Sequence, residues 1–319
     1  MQAERDIIII GGGPAGLTAA QYSARGNLNT LLIEELATGG QMLQIYELEN
    51  YPGINKQISG AELSKEMEDQ ALKFGAKIIS ASVKKVEKKN NIFHVSTDAG
   101  DFTAYAVIIA TGAKPKMLGA EGEERLLGMG VSYCATCDGP FFKNKKILAI
   151  GGGDTACSEA LYLSQIADKV VMIHRKERFR AQKALAERVL SNKKIEVRFN
   201  TECKEIKGDT KVEKAVLVDA AGGVKCAAGS AKYEENFDAV FIFVGTAPKT
   251  ESLPPDLEKD ESGYIVSTNK METSIPGLFA AGDVRNTPFR QVVVSCGDGA
   301  IAAHCADIYI SELKGMAYK

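Results

Sequence analysis

A short apolar run that breaks into consecutive glycines occurs twice in this chain, and no other feature constrains its fold as strongly. Ile7-Ile8-Ile9-Ile10 leads into Gly11-Gly12-Gly13-Pro14-Ala15-Gly16, and Lys146-Ile147-Leu148-Ala149-Ile150 leads into Gly151-Gly152-Gly153-Asp154-Thr155-Ala156. Each reads as a buried strand, a glycine turn and the start of a helix, followed by a second strand at Thr30 to Ile33 or Lys169 to Ile173. Glycine is required where the turn closes and where backbone must approach a pyrophosphate, which the helix start then attracts. Glu34 stands 23 positions after Gly11, and His174 stands 23 positions after Gly151. Equal offsets put these two residues at equivalent points of two similar nucleotide folds.

What stands at that point decides which nucleotide suits each fold. The Glu34 carboxylate can accept hydrogen bonds from free ribose hydroxyls and repels a 2′-phosphate, so the first fold suits FAD or NAD(H). The second fold presents His174, Arg175, Lys176, Arg178 and Arg180. Guanidinium forks grip phosphate in bidentate fashion, so this fold suits NADPH. As plain surface, the cations would mark a solvated helix start. Like charges in a first helical turn oppose the helix dipole, and an anion partner accounts for them better.

Two further apolar strands, Val107-Ile108-Ile109 and Ala239-Val240-Phe241-Ile242-Phe243-Val244, run into glycine turns followed by Lys114-Pro115 and Pro248. Such junctions suit crossovers between domains. The second nucleotide fold lies wholly between them, which predicts an α/β chain of two Rossmann-like domains, one inserted into the other. The expected boundaries are 1–114 and 247–319 for a discontinuous FAD domain and 115–246 for an inserted NADPH domain. A chain of 319 residues is long enough for both. A net charge of −2 argues against a nucleic-acid-binding surface. The N-terminus lacks a basic and long apolar leader, and no apolar run approaches a membrane span, so a cytoplasmic location is expected.

Of seven cysteines, only Cys134 and Cys137 stand at a chemically meaningful spacing, C-x-x-C, just upstream of the second glycine motif. Cys157, Cys203, Cys226, Cys296 and Cys305 are scattered singly and read as small buried hydrophobes. A C-x-x-C between two nucleotide folds suggests electrons passing from a dinucleotide into a disulfide. Half of a zinc site is the competing reading. Structural zinc wants four ligands, and no second C-x-x-C or C-x-x-H accompanies it, so no metal is expected. Asp138, the only carboxylate within the motif, is the best candidate for proton transfer, with a helix N-cap as its bland alternative.

Taken in order, these motifs match one family. The chain resembles the low-molecular-weight, bacterial-type thioredoxin reductases over essentially its whole length. The first glycine motif matches Gly11 to Gly16, the flavin loop Gly39-Gly40-Gln41, and the Asn-aromatic-Pro-Gly segment Asn50-Tyr51-Pro52-Gly53. The Ala-Thr-Gly junction matches Ala110-Thr111-Gly112, and the redox-active Cys-Ala-Thr-Cys-Asp-Gly matches Cys134 to Gly139. The second glycine motif matches Gly151 to Ala156, and the 2′-phosphate motif matches His174-Arg175-Lys176 with Arg180. Flavin-contacting residues match Gly282-Asp283 and Arg290-Gln291, with Val292 beside them. Lys176 replaces an arginine of the pattern, keeping the charge but losing a planar fork, which implies a weaker grip on the 2′-phosphate. Cys157-Ser158 and Val292 with Cys296 also depart from the usual residues.

The resemblance implies a mechanism. NADPH delivers hydride to FAD, and the reduced flavin reduces a Cys134–Cys137 disulfide. Cys137 then lies against the flavin, while Cys134 attacks the disulfide of an oxidised thioredoxin and Cys137 resolves the mixed disulfide. It also implies a homodimer, and a rotation of the inserted domain near Lys114-Pro115 and Gly245 to Pro248, because the cysteine pair and the nicotinamide cannot both face the flavin at once. The alternative keeps the flavin–dithiol chemistry but takes electrons from ferredoxin or gives them to O2 as a dithiol oxidase. Intact Gly151 to Gly153 and Arg175 to Arg180 speak against the ferredoxin version.

Overall fold

Four consecutive isoleucines can all be buried only in a strand covered on both faces, and this is where the fold begins. A computed structural model of the chain describes residues 3–45, 48, 50–56, 58–219 and 231–316. It divides into two compact units, Met1–Lys114 with Ala247–Lys319, and Pro115–Thr246.

The first unit opens with β1 (Arg5–Ile10), α1 (Pro14–Arg25) and β2 (Thr30–Glu34). Next come α2 (Gly60–Lys73), β3 (Lys77–Ser80), β4 (Val83–Lys89), β5 (Ile92–Thr97) and β6 (Gly100–Ile109). Their sheet runs β3-β2-β1-β6-β5-β4. β3, β2, β1 and β6 are parallel, and β6, β5 and β4 form an antiparallel meander. Successive side chains of a strand point to opposite faces. Ile7 and Ile9 therefore enter the core beneath α1, while Ile8 and Ile10 enter a second core on the other face. α2 starts at a capping box, in which the Ser59 side chain takes the Glu62 N–H and the Glu62 carboxylate takes the Ser59 N–H.

A short strand, β7 (Ala113–Pro115), leads into the second unit. There follow β8 (Val131–Ser132), α3 (Ala135–Asp138), β9 (Lys146–Gly151), α4 (Asp154–Ile166), β10 (Lys169–His174), α5 (Lys183–Ser191) and β11 (Ile195–Phe199). β12 (Thr201–Lys207), β13 (Lys214–Asp219) and β14 (Ala231–Asn236) make an antiparallel three-stranded sheet. β15 (Ala239–Phe243) completes a parallel sheet of order β11-β10-β9-β15-β8. β16 (Thr246–Pro248) leaves the unit and pairs with β7, so the two crossovers run side by side. The returning chain adds β17 (Leu278–Ala280), parallel to β6, and α6 (Val292–Leu313), which packs on α1. Among the described residues no helix is long and apolar enough to cross a membrane.

Candidate active site

In the first unit the glycine loop joins β1 to α1, and its shape depends on missing side chains. A Cβ on Gly16 would lie 1.8 Å from the Gly11 carbonyl oxygen, and one on Gly11, at φ +106°, would lie 2.3 Å from the Ala110 carbonyl oxygen. These glycines close the turn. Gly13, the N-cap of α1, is different: a Cβ there would meet nothing within 4 Å. The space over Gly13, beside the free N–H groups of the helix start, is what a pyrophosphate needs. Glu34 ends β2, where its Oε2 accepts the Gly12 N–H at 2.5 Å and its Oε1 accepts the Leu36 N–H at 3.1 Å. It braces the loop while retaining lone pairs for a ribose.

Segments far apart in sequence converge on this loop. A Cβ on Gly40 would lie 3.4 Å from Gly13 Cα, and one on Gly282 would lie 2.9 Å from Ala15 Cβ. Pro14 occupies the first turn of α1, where its missing N–H costs nothing. Gln41 Nε2 donates to the Ala113 carbonyl at 2.9 Å, Thr111 Oγ1 to the Lys249 carbonyl at 2.7 Å, and Asn50 Nδ2 to Gln291 Oε1 at 2.9 Å. Gly112 follows at φ +66°. Asp283 is half-buried, and desolvation pushes its carboxyl up while Arg290 pulls it down. The Arg290 guanidinium lies 4.1 Å from the Tyr264 ring centroid. Val292 starts α6 just beyond Gln291. Buried Cys296 packs in the core beneath α1, within reach of Thr18 and Tyr51.

The second unit repeats the construction. A Cβ on Gly151 would lie 2.4 Å from the Phe243 carbonyl oxygen, whereas one on Gly153, the N-cap of α4, would meet nothing within 4 Å. The end of the second strand presses on the loop in both units. A Cβ on Gly12 would lie 3.1 Å from Glu34 Cβ, and one on Gly152 would lie 2.4 Å from His174 Nδ1. Asp154 Oδ1 accepts the Gln182 N–H at 2.7 Å, and the Arg180 N–H donates to the Gly152 carbonyl at 2.7 Å, so the loop after β10 is tied to the glycine turn. Thr155 and Ala156 continue α4, Thr155 exposed and Ala156 buried.

One expectation is corrected here. Arg175, Lys176, Arg178 and Arg180 do not occupy a first helical turn, because α5 begins only at Lys183; they lie in the irregular loop after β10. The helix dipole therefore has no bearing on them. All four cations are exposed, and Arg178 and Arg180 line a depression together with Glu177, Phe179 and Lys183. At the end of β10, His174 is 6 % exposed, and its Nε2 is buried without a hydrogen-bond partner among the described residues. Burial, then Arg180, Arg175 and Lys176, hold the imidazole pKa below the ordinary histidine range. Exposed cations around an unpartnered imidazole nitrogen fit an anionic group.

Cys134 and Cys137 form a disulfide with a Cα–Cα distance of 5.4 Å. Cys134 is the N-cap of α3, and the Cys137 N–H donates to its Sγ at 3.1 Å. Cys137 is exposed, while Cys134 and Asp138 are half-buried. Asp138 stands at the N-cap position of the short turn that follows, as its alternative reading expects, but its side chain makes no capping hydrogen bond there. Cys157, Cys203 and Cys296 are buried free thiols, Cys305 is half-buried, and Cys226 lies outside the described residues. Nothing in the sequence sets Glu159 apart from a solvated helix residue. On α4 beneath α3, its Oε2 accepts the Ala135 N–H at 3.2 Å. Burial pushes its carboxyl up to about 7, against the lowering effect of that hydrogen bond.

Comparison with known proteins agrees with this architecture. The family model for pyridine nucleotide-disulphide oxidoreductases matches residues 5–299. The thioredoxin reductase of Treponema pallidum is 51% identical over 314 residues, covering 98% of this chain and 100% of that protein. The structure of Lactococcus lactis thioredoxin reductase superposes with a TM-score of 0.92 at 41% identity, covering 97% of this chain and 100% of that one. A ferredoxin-flavin thioredoxin reductase from Clostridium acetobutylicum is more distant, at 31% identity and a TM-score of 0.53, covering 97% and 98%. The chain belongs to the pyridine nucleotide-disulphide oxidoreductases, among the thioredoxin reductases.

Proposed function

We propose that this chain carries electrons from NADPH through FAD and the Cys134–Cys137 disulfide to an oxidised thioredoxin. The observation that carries the reading is the disulfide itself, in a chain whose two glycine loops each leave room for a pyrophosphate at the same position. Gly11, Gly13, Ala15, Gly16, Glu34, Gly40, Gln41, Asn50 and Thr111 would hold FAD with Gly282, Asp283, Arg290 and Gln291. Gly151, Gly153, Thr155, His174, Arg175, Lys176 and Arg180 would hold NADPH. The chemistry that bound FAD supplies is acceptance of a hydride and delivery of the electron pair to sulfur.

The chain's own residues govern the sulfur steps. In the dithiol, Cys134 is the thiol favoured as thiolate, because the Cys137 N–H already points at its Sγ. That thiolate attacks the substrate disulfide, one substrate sulfur leaves, and Cys137 then resolves the mixed disulfide. Asp138, half-buried at the end of α3, would carry the departing proton. The cysteine pair and the nicotinamide residues belong to one unit and the flavin residues to the other. Turnover therefore requires that unit to present each in turn, pivoting on the paired crossovers β7 and β16. Exposed Val293, Ile301 and Ile308 on α6 suit an apolar contact with a second copy. The reading places the enzyme in the cytoplasm, where thioredoxin disulfides are turned over.

Anaerobic titration of the yellow protein with NADPH, and separately with NADH, tests the donor. Bleaching of the flavin by NADPH well before NADH is expected. Bleaching by neither would move the donor to ferredoxin, and peroxide formation from a dithiol would turn the reaction into an oxidase.

A further inference from the structure

Beneath the Cys134–Cys137 turn, α4 presents Glu159, Tyr162, Leu163 and Ile166, the i, i+3, i+4, i+7 spacing of a single helix face. The last three support the turn directly: a Cβ on Gly139 would lie 3.4, 3.1 and 2.9 Å from their side chains. At the remaining place stands a carboxylate, which accepts the N–H of Ala135 between the two cysteines. An aliphatic residue would complete the stripe. A half-buried ionisable group against that apolar face costs free energy unless it has work to do.

We propose that Glu159 is a positioning residue of the redox pair that holds the second proton of its reduction. The inference rests on the Cys134–Cys137 pair being the redox centre proposed above. When two electrons break the S–S bond, one sulfur takes a proton and becomes a thiol, and the other remains a thiolate. The new negative charge lies on the turn that Glu159 braces, so the carboxylate takes up the second proton. The pair and its carboxyl thus gain two electrons and two protons, and the net charge of the turn is unchanged. When the thiolate attacks a substrate disulfide and the internal disulfide re-forms, thiol and carboxyl release both protons, which the two departing substrate sulfurs take up.

Glu159 is the carboxylate that bonds the backbone of the turn, whereas Asp138, given above to the departing proton, makes no capping hydrogen bond there. α3 contributes Cys134, Cys137 and Asp138, and α4 contributes Asp154, which is tied to the Gln182 N–H, Cys157 and Tyr162. β9, β10 and β15 pack Ile147, Ala149, Met172 and Phe241 against α4. Lys183 of α5 pairs with Glu187 on its own helix. Burial raises the Glu159 carboxyl and the Ala135 N–H lowers it.

The test equilibrates holoenzyme in dithiothreitol redox buffers between about pH 7.5 and 8.5, with acid quenching and mass counting of alkylated Cys134 and Cys137. After allowance for the reductant's own protons, two-proton reduction changes the dithiol-to-disulfide ratio about a hundredfold per pH unit, and one-proton reduction about tenfold. Wild type should approach the hundredfold dependence and Glu159→Gln the tenfold one. Glu159→Leu, which completes the apolar stripe, should behave like Glu159→Gln and serves if the amide disturbs the turn. A hundredfold dependence in either variant, or a tenfold one in wild type, overturns the proposal. The equilibrium needs neither NADPH nor thioredoxin, so failure of NADPH to reduce wild type would strike the proposed function and leave this result standing.

Discussion

Gly13 and Gly16 look alike in sequence, yet adding a methyl to each should have opposite consequences. Gly13 has φ −72° and ψ −176°, which alanine adopts freely, and its Cβ would meet nothing within 4 Å. Gly13→Ala should leave the flavin-free protein as stable as wild type or about 0.4–1 kcal/mol more stable, through a less flexible unfolded chain. On the proposed reading the same methyl would intrude on the space left for the pyrophosphate. Loss of one charge-assisted hydrogen bond costs about 1.5–3 kcal/mol, or roughly ten- to a hundredfold in FAD affinity. In Gly16→Ala the methyl meets the Gly11 carbonyl at 1.8 Å. That overpacking should destabilise the apoprotein itself by about 1–3 kcal/mol. Denaturant unfolding of deflavinated protein and fluorescence titration with FAD separate the two effects. If Gly13→Ala binds FAD as tightly as wild type, the space above Gly13 is not a pyrophosphate cradle.

Further outcomes follow from other parts of the molecule. Burial and the adjacent cations lower the His174 pKa, and a 2′-phosphate would raise it, so NADPH binding should take up a proton and weaken as pH rises through the bound pKa. NADH binding should show no such dependence, and calorimetry in buffers of different ionisation enthalpy reads the proton directly. Cys137→Ser should trap a mixed disulfide between Cys134 and thioredoxin, visible as a mass adduct released by reductant, whereas Cys134→Ser should trap none by attack from that position. Arg198 holds the Glu235 carboxyl down to about 2 in a partly buried pair that Lys146 also joins. Because the folded pKa is depressed, this contribution is present above the unfolded value and is lost as pH falls through the folded one. Glu235→Gln should cost about 1–3 kcal/mol near neutral pH, and the difference should fade toward pH 2 in urea unfolding.

The parallel cores were legible because their signals are local. Ile7 to Ile10 and Lys146 to Ile150 are apolar runs that end in glycine, and the equal spacing to Glu34 and His174 marks two copies of one construction. The structure shows the physical origin of that spacing, since both residues press on the middle glycine of their loop. The meander β4–β6 and the sheet β12–β14 were not read, because half-polar strands such as Val83–Lys89 gain their meaning only from the partner they pair with. The arginine run was read as a helix start because a sequence of cations carries no sign of where the next helix begins. Glu159 was invisible for the opposite reason. A glutamate in a helix reads as a solvated face, and only the packing of α3 on that face turns it into a half-buried carboxylate bonded to the cysteine turn.

The return of the chain to its first sheet also sets an order of assembly during synthesis. Everything needed for the second unit is present once Thr246 has emerged, and its sheet can close on itself. The first unit must wait for β17 to lie beside β6 and for α6, where Gly299 allows the helix to sit directly against the backbone of Ala15. At about 5–20 residues per second, the stretch from Thr246 to Leu313 takes roughly 3–13 s to make. Through that interval the apolar face of α1 is uncovered, so a ribosome that stalls late in the message releases a finished inner module on an outer one open to aggregation.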